Sequence, residues 1–253
     1  MKSNRIIWGL VALVVLITIA VSFGTRGSYS QQGASKEQDN NAYEDLSKYA
    51  VADYNAPEPK NAIERGERIL KNKRYDNQHW VVKNPHPDTD GVGLIDEIPP
   101  LPIIPIAESN LIIIGEIVSA SAYLSNDKQG IYTEFVVRIE EILKDNISNK
   151  VNQGDSITAD RAGGFVRYPN GQKVLYRITQ NDLPQVGCEY VLFIRTDKQS
   201  PNYEILTGHK FKDGSVSPLD TKQRFDDFKG TNKLNFIEAI RNKISKSSQP
   251  VKN

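Results

Sequence analysis

Cysteine and methionine each occur once in these 253 residues, tryptophan twice and histidine three times. A lone Cys188 cannot close an intramolecular disulfide, so an exported domain here stands on core packing alone. It also excludes acylation at a cysteine directly after an apolar leader, because Cys188 is far from any such stretch. Zinc needs three converging ligands at about 2 Å, and His79, His86 and His209 share no ligand spacing. No G-x-S-x-G, H-E-x-x-H, G-x-x-x-x-G-K-[ST] or G-x-G-x-x-G string occurs. The expectation is a chain with no catalytic residues and no cofactor. Neither sign of charge dominates: 32 Lys and Arg face 31 Asp and Glu, a formal +1. That balance provides no general attraction to nucleic acid.

One long uncharged run is present. Ile6 to Gly24 holds nineteen residues, of which only Thr18 and Ser22 have polar side chains. As a helix it would reach roughly 28 Å, close to the hydrocarbon thickness of a bilayer. Lys2 and Arg5 precede it and only Arg26 follows closely, which favours the N-terminus inside and the remainder outside the cytoplasm. Two readings stay open: a transmembrane anchor in the plasma (inner) membrane, or a secretory signal cleaved after Ala20-Val21-Ser22 or Ser22-Phe23-Gly24, leaving a secreted or periplasmic product. Length and the interfacial position of Trp8 favour the anchor. Lipid is then the first expected partner.

The expected organisation is a cytoplasmic stub at 1–5, a transmembrane helix or signal at 6–24 and a flexible tether at 25–57 rich in Ser, Gln, Asn, Asp and Gly. A helix and irregular linker follow at 58–98. Six basic residues from Lys60 to Arg74 oppose Glu64 and Glu67, a local +4. The prolines of Ile98-Pro99-Pro100-Leu101-Pro102-Ile103-Ile104-Pro105 favour an extended lead-in.

From Leu111 the apolar period becomes two. Leu111 to Tyr123 reads as a strand; its return alternates Tyr132, Thr133, Phe135, Val137 and Ile139 on a core face with Glu134, Arg138 and Glu140 on a wet one. Short strands follow at Ser156–Ala159, Phe165–Tyr168, Gln172–Ile178, Tyr190–Arg195 and Tyr203–Phe211. Gly163-Gly164 marks a bend and Asn170-Gly171 a tight hairpin. Cys188 is expected to share a core face with Tyr190, Leu192 and Ile194. Such a meander must curl to bury its apolar faces, so the fold class is mainly β: a small antiparallel barrel at 99–219, flanking helices including C-terminal ones at 220–246, and a disordered tail at 247–253. Leu234, Ile237, Ile240 and Ile244 form the C-terminal stripe expected to pack on the barrel.

The strings SNLIIIGEIVSASAYLSND, YTEFVVRIEEILKD, RAGGFVRYPNG, VGCEYVLFIR and ILTGHKFKDGSVSPLD resemble those of a group of uncharacterised exported bacterial proteins, over roughly 99–219. GEIV with VRIEEILKD is also similar to the oligonucleotide/oligosaccharide-binding-type barrel of tissue inhibitors of metalloproteinases. The resemblance implies an OB-like barrel and no activity. Those inhibitors depend on an N-terminal cysteine and several disulfides, which this chain lacks.

A ligand surface, if the barrel has one, is expected on the hairpin carrying Arg161, Arg167, Tyr168, Tyr176 and Arg177, which mixes stacking rings with charge. Asp88, Asp90 and Glu97 stand at positions three, five and twelve of a calcium-loop spacing, but His86 opens it and Pro85 and Pro87 break the entering helix. That stretch is read as a polar turn, with weak calcium binding as the alternative. The leading functional expectation is a membrane-anchored extracytoplasmic module that binds a protein, peptide or glycan. The alternatives are an envelope hydrolase using carboxylates such as Glu134, Glu140 and Glu141, and a protease-inhibitor-like module presenting an open strand edge.

Overall fold

The structure is a computed structural model and describes residues 49–85, 92–95, 101–178, 181–196, 202–220 and 228–247. The anchor or signal at 6–24, most of the tether, and Asp88, Asp90 and Glu97 lie outside the described residues. No described helix is long and apolar enough to cross a membrane.

The chain is mainly β. Its elements run β1 (Val51–Asp53), α1 (Ala62–Asn72), β2 (Val92–Ile95), β3 (Leu111–Leu124), β4 (Ile131–Asp145), β5 (Ser156–Ala162), β6 (Gly164–Arg167), β7 (Lys173–Ile178), β8 (Glu189–Thr196), β9 (Tyr203–Lys212), β10 (Ser215–Pro218) and α2 (Lys233–Ser247). A single 3-10 turn, Lys73–Tyr75, extends α1. The large sheet has the order β10-β9-β5-β4-β3-β8, and β8 also pairs with β9. It therefore nearly closes on itself. Its narrowest seam is the parallel contact of β5 with β9, only Ala159 with Tyr203 and Asp160 with Glu204.

β3 shows why its first half is apolar on both faces. Leu111, Ile113 and Ile117 point into the sheet's interior with Phe135, Val137, Tyr190 and Leu192. Ile112 and Ile114 point outward, where α2 covers them with Phe236, Ile237 and Ile240. A strand buried on both sides gains from β-branched residues at every position rather than every second one. On α2, Leu234 is not part of the packed stripe; it is 73% exposed and Phe236 takes the contact. Cys188 is half-buried and free, just before β8, packed against the interior cluster.

A second sheet runs β1-β6-β7-β2, with β1 parallel to β6 and β2 parallel to β7. The expected single meander is thus divided into two sheets. The division falls at Gly163 (φ +107°) and Gly164 (φ +155°), where β5 leaves one sheet and β6 enters the other. A side chain at Gly163 would also lie 2.9 Å from the Tyr176 carbonyl oxygen, so only glycine allows this turn.

Candidate functional site

The five hairpin residues do not form one surface. Tyr168 and Tyr176 are buried in the core of the smaller sheet, with their hydroxyls 2.7 Å apart and the Tyr168 hydroxyl also 2.7 Å from the Val82 carbonyl. Burial, then the Tyr176 hydrogen bond, raises the Tyr168 pKa. These rings have no free face for a ligand. Arg161 is buried and paired with Asp220, whose other oxygen accepts from Thr207 Oγ1 at 2.6 Å. Arg167 is exposed and pairs with Asp53 of β1; its Nη2 lies 2.8 Å from Oδ2. Arg177 donates to Asp182 at 2.7 Å. Each arginine fastens a different part of the fold. Among the described residues, no group of three or more His, Cys, Asp and Glu is placed to hold a metal ion.

The best-built polar cluster lies instead on the outer face of β4 and β5. Glu134, expected to face water, is buried there beside Asp160, because α1 lies over both. Asn61 starts the helix, its side chain accepting from Ile63 N at 2.9 Å. Arg68 then places its guanidinium 3.5 Å from the Tyr123 ring centroid and donates to the Glu134 carboxylate at 2.8 and 3.3 Å and to the Tyr132 hydroxyl at 2.9 Å. Lys71 donates to Glu134 at 3.0 Å. Arg74 and the Tyr75 hydroxyl both donate to Asp160 Oδ2 at 2.7 Å, and the Tyr75 ring stacks on Tyr132 at 4.3 Å. Forked, charge-assisted bonds of this kind fix orientation as well as attraction.

Titration follows from these contacts. Burial is the largest single influence on Arg68 and works to lower its pKa, but the hydrogen bonds and charge interactions with Glu134 and Tyr132 together outweigh it and the shift is upward. Burial raises the Asp160 carboxyl against the lowering influence of Arg74 and Tyr75. Its Oδ1 is buried and accepts no hydrogen bond from any described residue. Asp160 escaped sequence reasoning, and Glu134 entered it only as a carboxylate on a wet face, in the hydrolase alternative; the local +4 at 60–74 was the one clue to a partner.

Beside this cluster the sheet opens. Ile139 N–H donates to the Asp155 carbonyl at 2.9 Å and Gly163 N–H to the Ile131 carbonyl at 2.9 Å. With the register Val137 to Ile157, Phe135 to Ala159 and Thr133 to Arg161, the odd-numbered residues of β5 bond to β4. The backbone of Ser156 and Thr158 therefore faces the other way. Parallel pairing with β9 covers only Ala159 and Asp160. Where the strands part lies a groove of about 510 Å³, lined by Lys71, Lys150, Ser156, Thr158, Asn202 and Tyr203 among others. Lys71 is at once a bond to Glu134 and a wall of this groove.

Of the other carboxylates, Glu141 pairs with Arg241 of α2. Glu140 shares a hydrogen bond with Glu189, which Lys233 also holds; burial first and then Glu189 raise the Glu140 pKa. Direct contact is closer than the roughly 5 Å or more that separates the two acids of a glycoside hydrolase. A scan of protein-family models finds no match for this chain, and a search of the curated proteins finds none.

Proposed function

We propose that this chain is a membrane-anchored, extracytoplasmic binding module without catalytic activity, which receives an extended peptide segment of another protein along the β5 edge. The observation that carries this reading is the groove where β5 and β9 part, with the backbone of Ser156 and Thr158 aimed into it. Its volume is in the 300–1,000 Å³ range of binding clefts, and peptides commonly add to sheets through main-chain bonds at such an edge. Five strands round one core, β3-β4-β5-β9-β8, fit an OB-like Greek-key barrel, and with it the likeness to exported bacterial proteins. The apolar run Ile6–Gly24 supports the membrane address. An open edge also favours the protease-inhibitor-like reading, in which the occupying strand belongs to a protease.

The test is selection of peptides from a random display library on the purified full chain. Binders are expected whose affinity falls at least tenfold for Thr158→Pro and is retained for Thr158→Val. Proline removes an N–H that the β4 ladder does not use, so the sheet is kept while the edge is blocked. Selected peptides that bind Thr158→Pro as well as wild type would overturn the edge reading. Hydrolysis of envelope polymers that is abolished by Glu140→Gln would overturn the non-enzymatic one.

A further inference from the structure

The amphipathic helix α1 is mounted the wrong way round for a helix that packs on a core. At about 100° per residue, positions 65, 68, 71 and 72 share one face and 62, 63, 66, 69 and 70 the opposite one. The first set is Arg65, Arg68, Lys71 and Asn72, all half-buried, the last three bonded to Tyr132 or Glu134 of β4. The second is Ala62, Ile63, Gly66, Ile69 and Leu70, all turned to solvent; Ile63 is 75% exposed, Ile69 48% and Leu70 71%. No residue of α1 is buried. The ion pairs to Glu134 and Asp160, together with the bond from Asn126 Nδ2 to the Ile69 carbonyl at 3.1 Å, hold the apolar stripe outward. A surface helix ordinarily turns such a stripe inward.

We infer that this stripe lies in the headgroup region of the bilayer to which the chain is anchored, so that α1 is a wedge between lipid and sheet. The inference rests on the membrane-anchored reading above. Two observations select lipid over other occupants. From Thr25 to Lys48, twenty-four residues separate the apolar run from the first described residue. Even fully extended they reach at most about 85 Å, which ties the domain to the anchored surface. Next, a helix of 11 residues offers a face of a few hundred Å² at most, well under the roughly 800 Å² per partner of a stable protein interface, whereas insertion at a lipid surface sets no such threshold.

The experiment uses the full chain reconstituted in vesicles of phosphatidylcholine and phosphatidylglycerol at 3:1. An environment-sensitive fluorophore is placed at Leu70→Cys, and separately at Lys212→Cys, in a Cys188→Ser background. Shallow spin-labelled lipid is expected to quench the label at 70 at least twice as strongly as the label at 212, with a blue-shifted emission at 70 only. The unlabelled wild-type chain should show slower amide exchange over 62–72 in vesicles than in detergent micelles, a readout that needs no substitution. Chain that floats with the vesicles while both labels quench equally and 62–72 exchanges alike in both media overturns the inference and leaves the anchor intact. Chain that fails to float overturns the anchor and this inference with it.

Discussion

The Arg161 guanidinium and the Asp220 carboxylate form an ion pair in which both side chains are at least nine-tenths buried. Arg161 reaches it from β5, Asp220 from the segment after β10, and Thr207 of β9 completes the carboxylate's bonding. The pair thus joins the two strands of the narrow seam to the chain that follows them. Removing one member leaves the other charged in a dry place. Asp220→Ala is expected to lower stability by about 3–5 kcal/mol. The double change Arg161→Met/Asp220→Leu is expected to recover most of that loss, because an apolar pair strands no charge. Urea denaturation of the two variants beside wild type checks this; equal losses for the single and double changes would show that the pair's charges are unimportant.

Tyr75 fastens the end of the α1 strap twice, by its ring on Tyr132 and by its hydroxyl on Asp160. Tyr75→Phe keeps the stack and removes the bond, so a loss of about 1 kcal/mol is expected, expressed as faster amide exchange in α1 and not in β3 or β4. Gly130→Ala attacks the same joint from below. A Cβ at Gly130 would stand 2.0 Å from the Tyr75 carbonyl oxygen, a backbone atom that must move. Release of α1, read by protease cutting within 62–75 while the sheet stays intact, is the expected result. An uncut helix would mean that Tyr75 is not the fastening point.

These cases show where sequence pattern carries information and where it stops. β3 and β4 were legible because β-branched and aromatic residues recur along them, and the β6–β7 hairpin because Asn170-Gly171 supplies a positive φ, +84° at Gly171. Such signals lie within a few residues of one another. The burial of Glu134 was not legible, because it depends on Arg68, sixty-six positions earlier, crossing the sheet. β1 and β2 have only three and four residues and join parallel partners far along the chain, so neither shows a period of its own. On α2, Leu234 and Phe236 are both apolar but two positions, about 200°, apart, so they flank the stripe on opposite sides and only Phe236 meets the sheet. Tyr168 and Tyr176 look like ligand rings in sequence, and only the second sheet's core takes them inside.

Asp160 offers a pH test with a definite sign. Burial lifts its folded pKa above the ordinary 3.8 despite Arg74 and Tyr75. A carboxyl with a raised folded value binds its proton more tightly folded than unfolded. Its favourable contribution is then complete below the unfolded pKa and is lost as pH rises through the folded one. Asp160→Asn removes that dependence. Relative to the variant, wild type should lose stability as pH climbs from about the ordinary carboxylate value, and the difference should level off once Asp160 is fully ionised. A gap between the two melting temperatures that stays constant from acid to neutral pH would contradict it.

Glu140 and Glu189 give the complementary measurement at an exposed site. Burial and the Glu189 hydrogen bond raise Glu140, while Lys233 and Arg138 oppose them. Two carboxyls in contact hold a proton between them more readily than either alone. Carboxyl carbon NMR on the wild-type chain should therefore find a Glu140 resonance titrating above its ordinary 4.5. Lys233→Met takes away a cation and should push the titration higher. Glu189→Gln replaces a like charge with a group able to donate, and should bring Glu140 back down. If Lys233→Met and Glu189→Gln move it in the same direction, the raised value has another origin and the contact between the two acids does not control it.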